Sequence, residues 1–235
     1  IAMTDYEKFK VGETIAVTKG DVILRNRLVE VIQYAPQTEK VHAVPILICP
    51  PWINRYYILD LQPHNSLVNF LVQQGFQVFM ISWKNPDASY RNTTFDDYLT
   101  EGFMAASDAV LSITGQTQHH TLGYCIGGAM LACATAILNS KKDNRIASCA
   151  FLTTLTDYSN PGDLGVFIDE PQLQKLEAKM QKDGVLDGRD MAATFSALRS
   201  ADLVWSYVHE FNFAWIQNGE VSSLARLDLI FQEVA

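Results

Sequence analysis

The chain lacks the usual marks of several protein classes. Its 235 residues include only four cysteines, and none of their spacings forms a C-x-x-C pair or a zinc-ligand pattern. Acidic residues outnumber basic residues by 26 to 18, so no overall basic surface exists for nucleic acid. No apolar run approaches the roughly 20 residues that span a bilayer. We therefore expect a reduced, cytoplasmic protein with no metal, no nucleic-acid partner and no membrane span.

The first 160 residues alternate between strand-like and helix-like segments. Two short strands are predicted within 12–34, with a Lys-Gly-Asp turn at 19–21. Later strands are predicted at 44–52, 76–83, 119–124 and 146–157. Helices are predicted at 65–75, 94–115 and 127–140. This order with short connections predicts an α/β fold, a mostly parallel sheet with helices on both faces.

Capping signals set the predicted helix ends. Asn65 and Gly75 bracket the first helix, and Thr94 and Gly115 bracket the second. From about residue 161 the alternation stops, and VFIDEPQLQKLEAKMQKDG and RDMAATFSALRSADLVWSYV have helical periodicity. We predict three parts: a core at 1–160, a helical cap at 161–207 and a divergent tail at 208–235.

One segment combines a thiol with glycines at a strand-to-helix turn. Gly123-Tyr124-Cys125-Ile126-Gly127, followed by Gly128, matches the nucleophile-elbow pattern G-x-Nuc-x-G with cysteine as nucleophile. The helix N-terminus would favour the reactive thiolate, and the Ile126 N–H would face a developing oxyanion. The alternative interpretation is a buried structural cysteine at a Gly-rich joint. The other cysteines, Cys49, Cys133 and Cys149, lie in apolar runs and are predicted to act as small hydrophobic residues.

A second segment, PPWINRYYILDLQP at 50–63, follows the strand at 44–52. An α/β-hydrolase keeps its oxyanion loop at this place, and Asn54 could supply the second donor. In the alternative interpretation, Trp52, Tyr56 and Tyr57 only cover the end of the sheet. Arg55 could meet a phosphate, although a single arginine is more often a solvated surface residue.

Five blocks of the chain resemble class I polyhydroxyalkanoate synthases, also called poly(3-hydroxybutyrate) synthases. They are PPWINRYYILDLQPHNSLV, FMISWKNPDASYRNTTFDDYL, LGYCIGGAML, FLTTLTDYSNPGDLGVFIDE and LRSADLVWSYV. The resemblance implies an α/β-hydrolase fold with a mobile helical cap. It also implies an acyltransferase that polymerises (R)-3-hydroxyacyl-CoA, with 3-hydroxybutyryl-CoA as the expected monomer, and releases CoA. Cys125 would carry the growing chain, and no cofactor would be needed beyond the coenzyme A thioester that is the substrate.

The resemblance further implies a homodimer in the full-length parent and association with the polyester granule surface. It also implies a catalytic acid and a histidine base well downstream of the nucleophile. Here only His209 follows Cys125, and it lies in the cap-like region. Asp157, at the end of a predicted strand, is read as a hinge or turn residue.

After Tyr207 the resemblance fades. We therefore expect a C-terminally truncated chain with the final strands missing and no general base or acid of its own. Such a chain would show little polymerase activity alone. Two alternatives remain open at this stage. One is a thioesterase or esterase with a cysteine nucleophile, and the other is a non-catalytic fragment that binds granules or a full-length synthase.

Overall fold

The computed structural model describes residues 7–160, 162, 165, 168–188 and 190–192. Its strands are β1 (Gly20–Arg25), β2 (Val29–Tyr34), β3 (Ile46–Cys49), β4 (Asp60–Gln62), β5 (Asn65–Ser66), β6 (Val78–Trp83), β7 (His119–Tyr124) and β8 (Ile146–Leu152). Six of them form one sheet in the order β1-β2-β6-β3-β7-β8, while β4 and β5 form a separate small hairpin. The strands β6, β3, β7 and β8 are mutually parallel, and β1 and β2 extend the sheet antiparallel. The predicted α/β fold is confirmed.

The helices are α1 (Leu67–Gln73), α2 (Phe95–Asp97), α3 (Ala105–Thr114), α4 (Ile126–Ser140) and α5 (Glu170–Asp183). Short 3-10 turns occur at Tyr56–Leu59 and Ala88–Asn92, and Tyr98–Met104 is π-helical. The chain divides into two compact units. One contains residues 10–85 and 92–157, and the other contains 1–9, 86–91 and 158–235. None of the helices within the described residues is both long and apolar enough to cross a membrane.

Both faces of the central strands are covered. Successive side chains of a strand point to opposite faces, yet Leu47, Ile48, Phe79 and Met80 are all fully buried. One of these faces, with Ile48 and Met80, packs against Val68 and Val72 of α1. The long apolar runs that predicted two-sided burial are therefore explained by helices on either side of the sheet.

The predicted turn at 19–21 is wrong. Gly20 begins β1, and the turn of the first hairpin is made by Asn26, whose Oδ1 accepts backbone hydrogen bonds from Leu28 at 2.8 Å and Val29 at 2.9 Å. Gly20 is needed for close strand contact instead, because a Cβ there would lie 2.8 Å from the Gln33 carbonyl oxygen.

Helix starts follow hydroxyl caps. Ser66, rather than the predicted Asn65, caps α1, because α1 begins one residue later at Leu67 and the Ser66 hydroxyl accepts a 2.8 Å hydrogen bond from the Asn69 N–H. The predicted Thr94 cap is confirmed and forms a reciprocal capping box with Asp97. Gly115 ends α3 in the left-handed conformation with φ 66°, as predicted.

The single helix predicted over 94–115 is interrupted by the π-helical segment Tyr98–Met104. Gly102 in this segment lies under the indole of Trp83, and a Cβ at 102 would fall 2.5 Å from that ring. The wider π-helical turn accommodates the Trp83 ring against the helix. No periodicity in the sequence indicates this contact.

The strand predicted over 146–157 is too long, since β8 ends at Leu152. Thr153 then adopts φ 43°, which a β-branched residue cannot hold within a strand. In the unit that contains residues 158–235, α5 confirms the helix predicted from VFIDEPQLQKLEAKMQKDG. Asp169 caps it and Gly184 ends it with φ 85°. The helix predicted from RDMAATFSALRSADLVWSYV falls largely outside the described residues, and the tail at 208–235 lies entirely outside them. The three predicted parts therefore stay predictions.

Candidate active site

Cys125 is the one residue between β7 and α4, so the strand-turn-helix arrangement predicted around it is observed. Its backbone has φ 54° and ψ −123°, a conformation that side chains with a Cβ rarely adopt, and its side chain is exposed. Strain of this kind costs on the order of 1–3 kcal/mol and persists only where surrounding structure imposes it. The turn therefore holds the thiol outward at the carboxyl end of the parallel strands.

Hydrogen bonds on both sides fix this turn. The Cys125 N–H donates to the Leu152 carbonyl oxygen at 2.9 Å, which ties the turn to the last residue of β8. The Cys125 carbonyl oxygen accepts from the Gly128 N–H at 2.9 Å, which starts α4. The strained backbone is thus held by the neighbouring strand and by its own helix.

The glycines allow the helix to approach the sheet. A Cβ on Gly127 would lie 2.2 Å from the Cys49 carbonyl oxygen and 2.7 Å from that of Pro50. A Cβ on Gly123 would lie 2.6 Å from the Gly128 Cα. These contacts are with backbone atoms, which cannot turn aside as a side chain could. The end of β3 therefore abuts the first turn of α4, directly beside the thiol.

The oxyanion donors predicted from the sequence lie on this same edge. Ile126 is the first residue of the 15-residue helix α4, and its N–H donates no hydrogen bond within the described residues. Asn54 is half-buried on the loop that follows Pro50, and the Pro50 carbonyl packs closely against Gly127. The roles of Ile126 and Asn54 as oxyanion donors stay predictions.

An aromatic cluster supports the loop after β3. The indole of Trp52 packs against Trp83 with ring centroids 5.6 Å apart, against Tyr98 at 5.0 Å and against Phe95 at 6.0 Å. The Trp83 Nε1 donates to the Pro50 carbonyl oxygen at 2.8 Å. Trp52 therefore helps to cover this end of the sheet, and the cluster fixes the start of the candidate oxyanion loop.

The neighbouring Arg55 is half-buried, and its Nη1 donates to Asn85 Oδ1 at 2.9 Å. Arg55 is therefore not the fully solvated surface residue that a single arginine more often is. Tyr56 packs edge-on against the buried Tyr57, with ring centroids 5.3 Å apart.

The four thiols differ in accessibility. Burial raises the pKa of Cys49 to about 12, so this thiol stays protonated near neutral pH. Cys149 is half-buried, with its Sγ 3.7 Å from Thr135 Oγ1. Cys133 is exposed on α4, which corrects its prediction as a small hydrophobic residue, because its apolar run belongs to a helix with one outward face. Accessible thiols in the described chain are therefore Cys125 and Cys133.

No hydrogen bond joins Cys125 to any histidine in the part of the chain that the structure describes. His119 is fully buried at the far end of β7, roughly 20 Å away along an extended strand. His209, the histidine that follows Cys125 in the sequence, lies outside the described residues. Asp157 is exposed beyond the end of β8 rather than ending a strand as predicted, because β8 stops at Leu152.

Sequence reasoning missed the support that the segment after β8 gives to the elbow. A Cβ on Gly128 would lie 1.9 Å from Thr154 Oγ1, so Thr154 is packed against the first turn of α4. The contact depends on where β8 ends and on strand register, and neither is visible in the sequence. The described residues contain no group of three His, Cys, Asp or Glu side chains arranged to hold a metal ion.

Comparisons with known proteins agree with this geometry. A family model described as the alpha/beta hydrolase fold matches residues 44–220, and one described as the poly-beta-hydroxybutyrate polymerase (PhaC) N-terminus matches residues 1–71. A crystal structure of a Sulfolobus solfataricus protein assigned as a lipase aligns with TM-score 0.50 and 12% identity. That alignment covers 79% of this chain and 64% of that one, and it supports the fold alone.

Curated relatives give a finer assignment. The chain is 48% identical over 208 residues to a poly(3-hydroxyalkanoate) polymerase of Methylorubrum extorquens, covering 88% of this chain and 34% of that protein. It is 45% identical over 213 residues to the poly(3-hydroxyalkanoate) polymerase subunit PhaC of Cupriavidus necator, covering 88% and 36%. The chain therefore spans about a third of the length of these relatives. On the elbow, the sheet and the family model over residues 44–220, the chain belongs to the α/β-hydrolase fold family, and over 88% of its length it is similar to poly(3-hydroxyalkanoate) polymerases.

Proposed function

We propose that this chain carries the nucleophile of an acyltransferase that polymerises (R)-3-hydroxyacyl-CoA, with 3-hydroxybutyryl-CoA as the expected monomer. The observation that carries the proposal is the strained, exposed Cys125 at the head of α4. Similarity over 88% of the chain supports the substrate class, because the relatives are named poly(3-hydroxyalkanoate) polymerases.

In the proposed first step, the Cys125 thiolate attacks the thioester carbonyl carbon. The Cys125–carbonyl bond forms, the carbonyl–CoA sulfur bond breaks, and CoA leaves as a thiolate that takes up the proton lost by Cys125. Nucleophile and leaving group have similar basicity, so the exchange is close to balanced and needs no cofactor. The oxyanion of the tetrahedral intermediate would accept hydrogen bonds from the Ile126 N–H and from Asn54 on the adjoining loop.

In the second step, the hydroxyl of the next monomer attacks the acyl-cysteine and requires a base to remove its proton. The described histidines are not hydrogen-bonded to Cys125, and His119 is buried at the opposite end of β7. We therefore expect this chain alone to acylate weakly and not to polymerise, since an elbow with oxyanion donors retains some reactivity without the base.

Intact-mass measurement after mixing the chain with 3-hydroxybutyryl-CoA tests the first step. We expect an added mass of one hydroxybutyryl unit, with release of CoA, in the parent chain. Cys125→Ala should abolish the adduct. Cys133→Ser is the matched control and should leave the adduct unchanged, because Cys133 is the other exposed thiol and lies on α4, the helix that Cys125 precedes.

An adduct that survives in Cys125→Ala and disappears in Cys133→Ser would contradict the proposal. Release of free 3-hydroxybutyrate with no oligomer, dependent on Cys125, would instead favour a thioesterase. Absence of both adduct and CoA release in a chain that is folded by circular dichroism would favour a non-catalytic binding fragment.

We further propose that the parent works as a homodimer at the surface of polyester granules. The proposed product is insoluble in water, so an enzyme that carries it covalently would stay at that surface. Co-sedimentation of the full-length parent with isolated granules, and its mass by light scattering, test these two statements separately.

A further inference from the structure

The indole of Trp83 links the loop after β3 to the neighbouring strand. Trp83 is the last residue of β6, and its side chain is buried. Its Nε1 donates a 2.8 Å hydrogen bond to the carbonyl oxygen of Pro50, the first residue after β3. The backbone pairing between β3 and β6 ends at Ile48 and Met80. The Trp83 side chain therefore continues the connection between these strands beyond the end of their backbone pairing.

The same Pro50 peptide also lies against the elbow. A Cβ on Gly127 would lie 2.7 Å from the Pro50 carbonyl oxygen and 2.8 Å from its carbonyl carbon. Gly127 is in the first turn of α4, two residues after Cys125. The Pro50 carbonyl is thus in contact with the Trp83 indole and with the turn that carries the thiol. A movement of this peptide would change the distance between the elbow and the loop on which Asn54 lies.

Packing against three residues fixes the orientation of the indole. A Cβ on Gly102 would lie 2.5 Å from the Trp83 ring, so the helical backbone lies directly against it. The ring packs edge-on against Trp52, with centroids 5.6 Å apart, and against Tyr98 at 5.3 Å. A side chain held in this way cannot rotate without displacing its neighbours. Its N–H is therefore oriented toward Pro50 before any substrate binds.

Loss of the indole N–H would act on the loop more than on the thiol. Pro50 is buried, and a buried carbonyl without a donor is unfavourable. Its peptide would then favour orientations that reach water, and the loop that follows would move with it. Oxyanion donors act only when they are held in place, and a displacement of about 1 Å can lower a rate about 100-fold. The elbow itself would stay in place, because the Cys125 N–H donates to the Leu152 carbonyl oxygen at 2.9 Å.

We propose that Trp83 is a positioning residue for acyl transfer, which acts through the Pro50 carbonyl to hold the candidate oxyanion loop against the elbow. This inference rests on the acyl transfer proposed above and adds to that site a residue outside the G-x-C-x-G pattern. The indole N–H, rather than the bulk of the ring, then controls how fast Cys125 is acylated.

Two reactions of Cys125 separate the loop from the thiol. Acylation by 3-hydroxybutyryl-CoA passes through an oxyanion, whereas alkylation by iodoacetamide forms a sulfur–carbon bond with release of iodide and no oxyanion. Both are followed by intact mass and peptide mapping in a Cys133→Ser chain, which lacks the other exposed thiol. We expect Trp83→Phe to lower the maximal acylation rate about tenfold or more. The half-saturating thioester concentration and the alkylation rate should stay within about twofold.

Trp83→His tests the hydrogen bond itself. An imidazole superimposes on the five-membered ring of an indole, so its Nε2–H can take the position of the Trp83 Nε1–H, although the benzene ring is lost. We expect Trp83→His to be acylated within about threefold of the rate of the Cys133→Ser chain. Phe79→Leu is the matched control, because it also shrinks a buried aromatic side chain on β6 but removes no hydrogen-bond donor. It should leave acylation within about twofold.

The proposal is overturned if Trp83→Phe leaves the maximal acylation rate unchanged, if acylation and alkylation fall together, or if Trp83→His is as slow as Trp83→Phe. The Cys133→Ser chain decides the acyl transfer separately. If it forms no adduct at Cys125, the acyl transfer is refuted and this inference with it. An adduct that forms at a rate independent of Trp83 would refute the positioning role and leave the acyl transfer intact.

Discussion

The strained backbone of Cys125 makes a measurable prediction about stability. With φ 54° and ψ −123°, residue 125 carries a Cβ in a conformation that only glycine holds readily. Cys125→Ala removes the thiol but keeps the Cβ and hence the strain. Cys125→Gly removes both. The difference between these two variants therefore isolates the strain from the loss of sulfur.

The expected magnitude comes from two opposing terms. Relief of strain contributes about 1–3 kcal/mol, and the greater freedom of glycine in the unfolded chain removes about 0.5–1 kcal/mol. We expect Cys125→Gly to be more stable than Cys125→Ala by about 1 kcal/mol. In urea unfolding, this corresponds to a midpoint higher by about 0.5 M.

A matched control separates this effect from a general effect of glycine. Ala136 is exposed in the middle of α4, so Ala136→Gly should destabilise the chain by about 0.5–1 kcal/mol, the opposite sign. If Cys125→Gly were no more stable than Cys125→Ala, the turn would not store strain, and the argument for an imposed elbow would fail.

Three further predictions concern the elbow, a buried histidine and a helix cap. Gly127→Ala should cost more than about 2 kcal/mol in unfolding free energy and abolish acylation, because its Cβ meets the Cys49 carbonyl oxygen at 2.2 Å. Gly115→Ala, where φ is 66° but no atom lies within 4 Å of the added Cβ, should cost only about 1 kcal/mol from backbone strain, and equal losses would contradict the clash at Gly127. Burial lowers the pKa of His119 from 6.5 to about 4. The contribution of the neutral imidazole to the unfolding free energy is therefore fully present above pH 6.5. It is lost as the pH falls toward 4, by at most ~1.4 kcal/mol per pH unit. His119→Gln should flatten that dependence in urea unfolding at pH 7 and pH 4.5, and an unchanged slope would exclude His119 as its source. Thr94→Ala should cost about 1 kcal/mol by thermal unfolding while Thr94→Ser is nearly neutral, and equal effects would mean that the capping box is not stabilising.

The sequence predicts best those features that depend on neighbouring residues. The apolar run at 44–52 predicted a buried strand, observed at Ile46–Cys49, and Thr94 predicted a helix start. The G-x-C-x-G pattern predicted the strand-turn-helix around Cys125. In each case the signal and the structure lie within a few residues of one another, so no knowledge of the tertiary fold is needed.

The larger failures involve contacts between distant segments. Gly20 has the composition of a turn, but it is a strand residue because β2 comes too close for a side chain. The length of β8 was overestimated because its apolar run continues past Leu152, where the chain turns to reach the elbow.

The contact between Trp83 and Gly102 has a consequence for how these positions can vary. A Cβ at 102 would reach within 2.5 Å of the indole, so the size of one side chain limits the other. Relatives with a smaller residue at the position of Trp83 are then free to carry alanine at that of Gly102, and the two positions should covary. Engineering of the loop after β3 would follow the same constraint. Trp83→Phe alone leaves a void and removes the donor to Pro50. Adding Gly102→Ala returns volume to the void but does not restore that hydrogen bond.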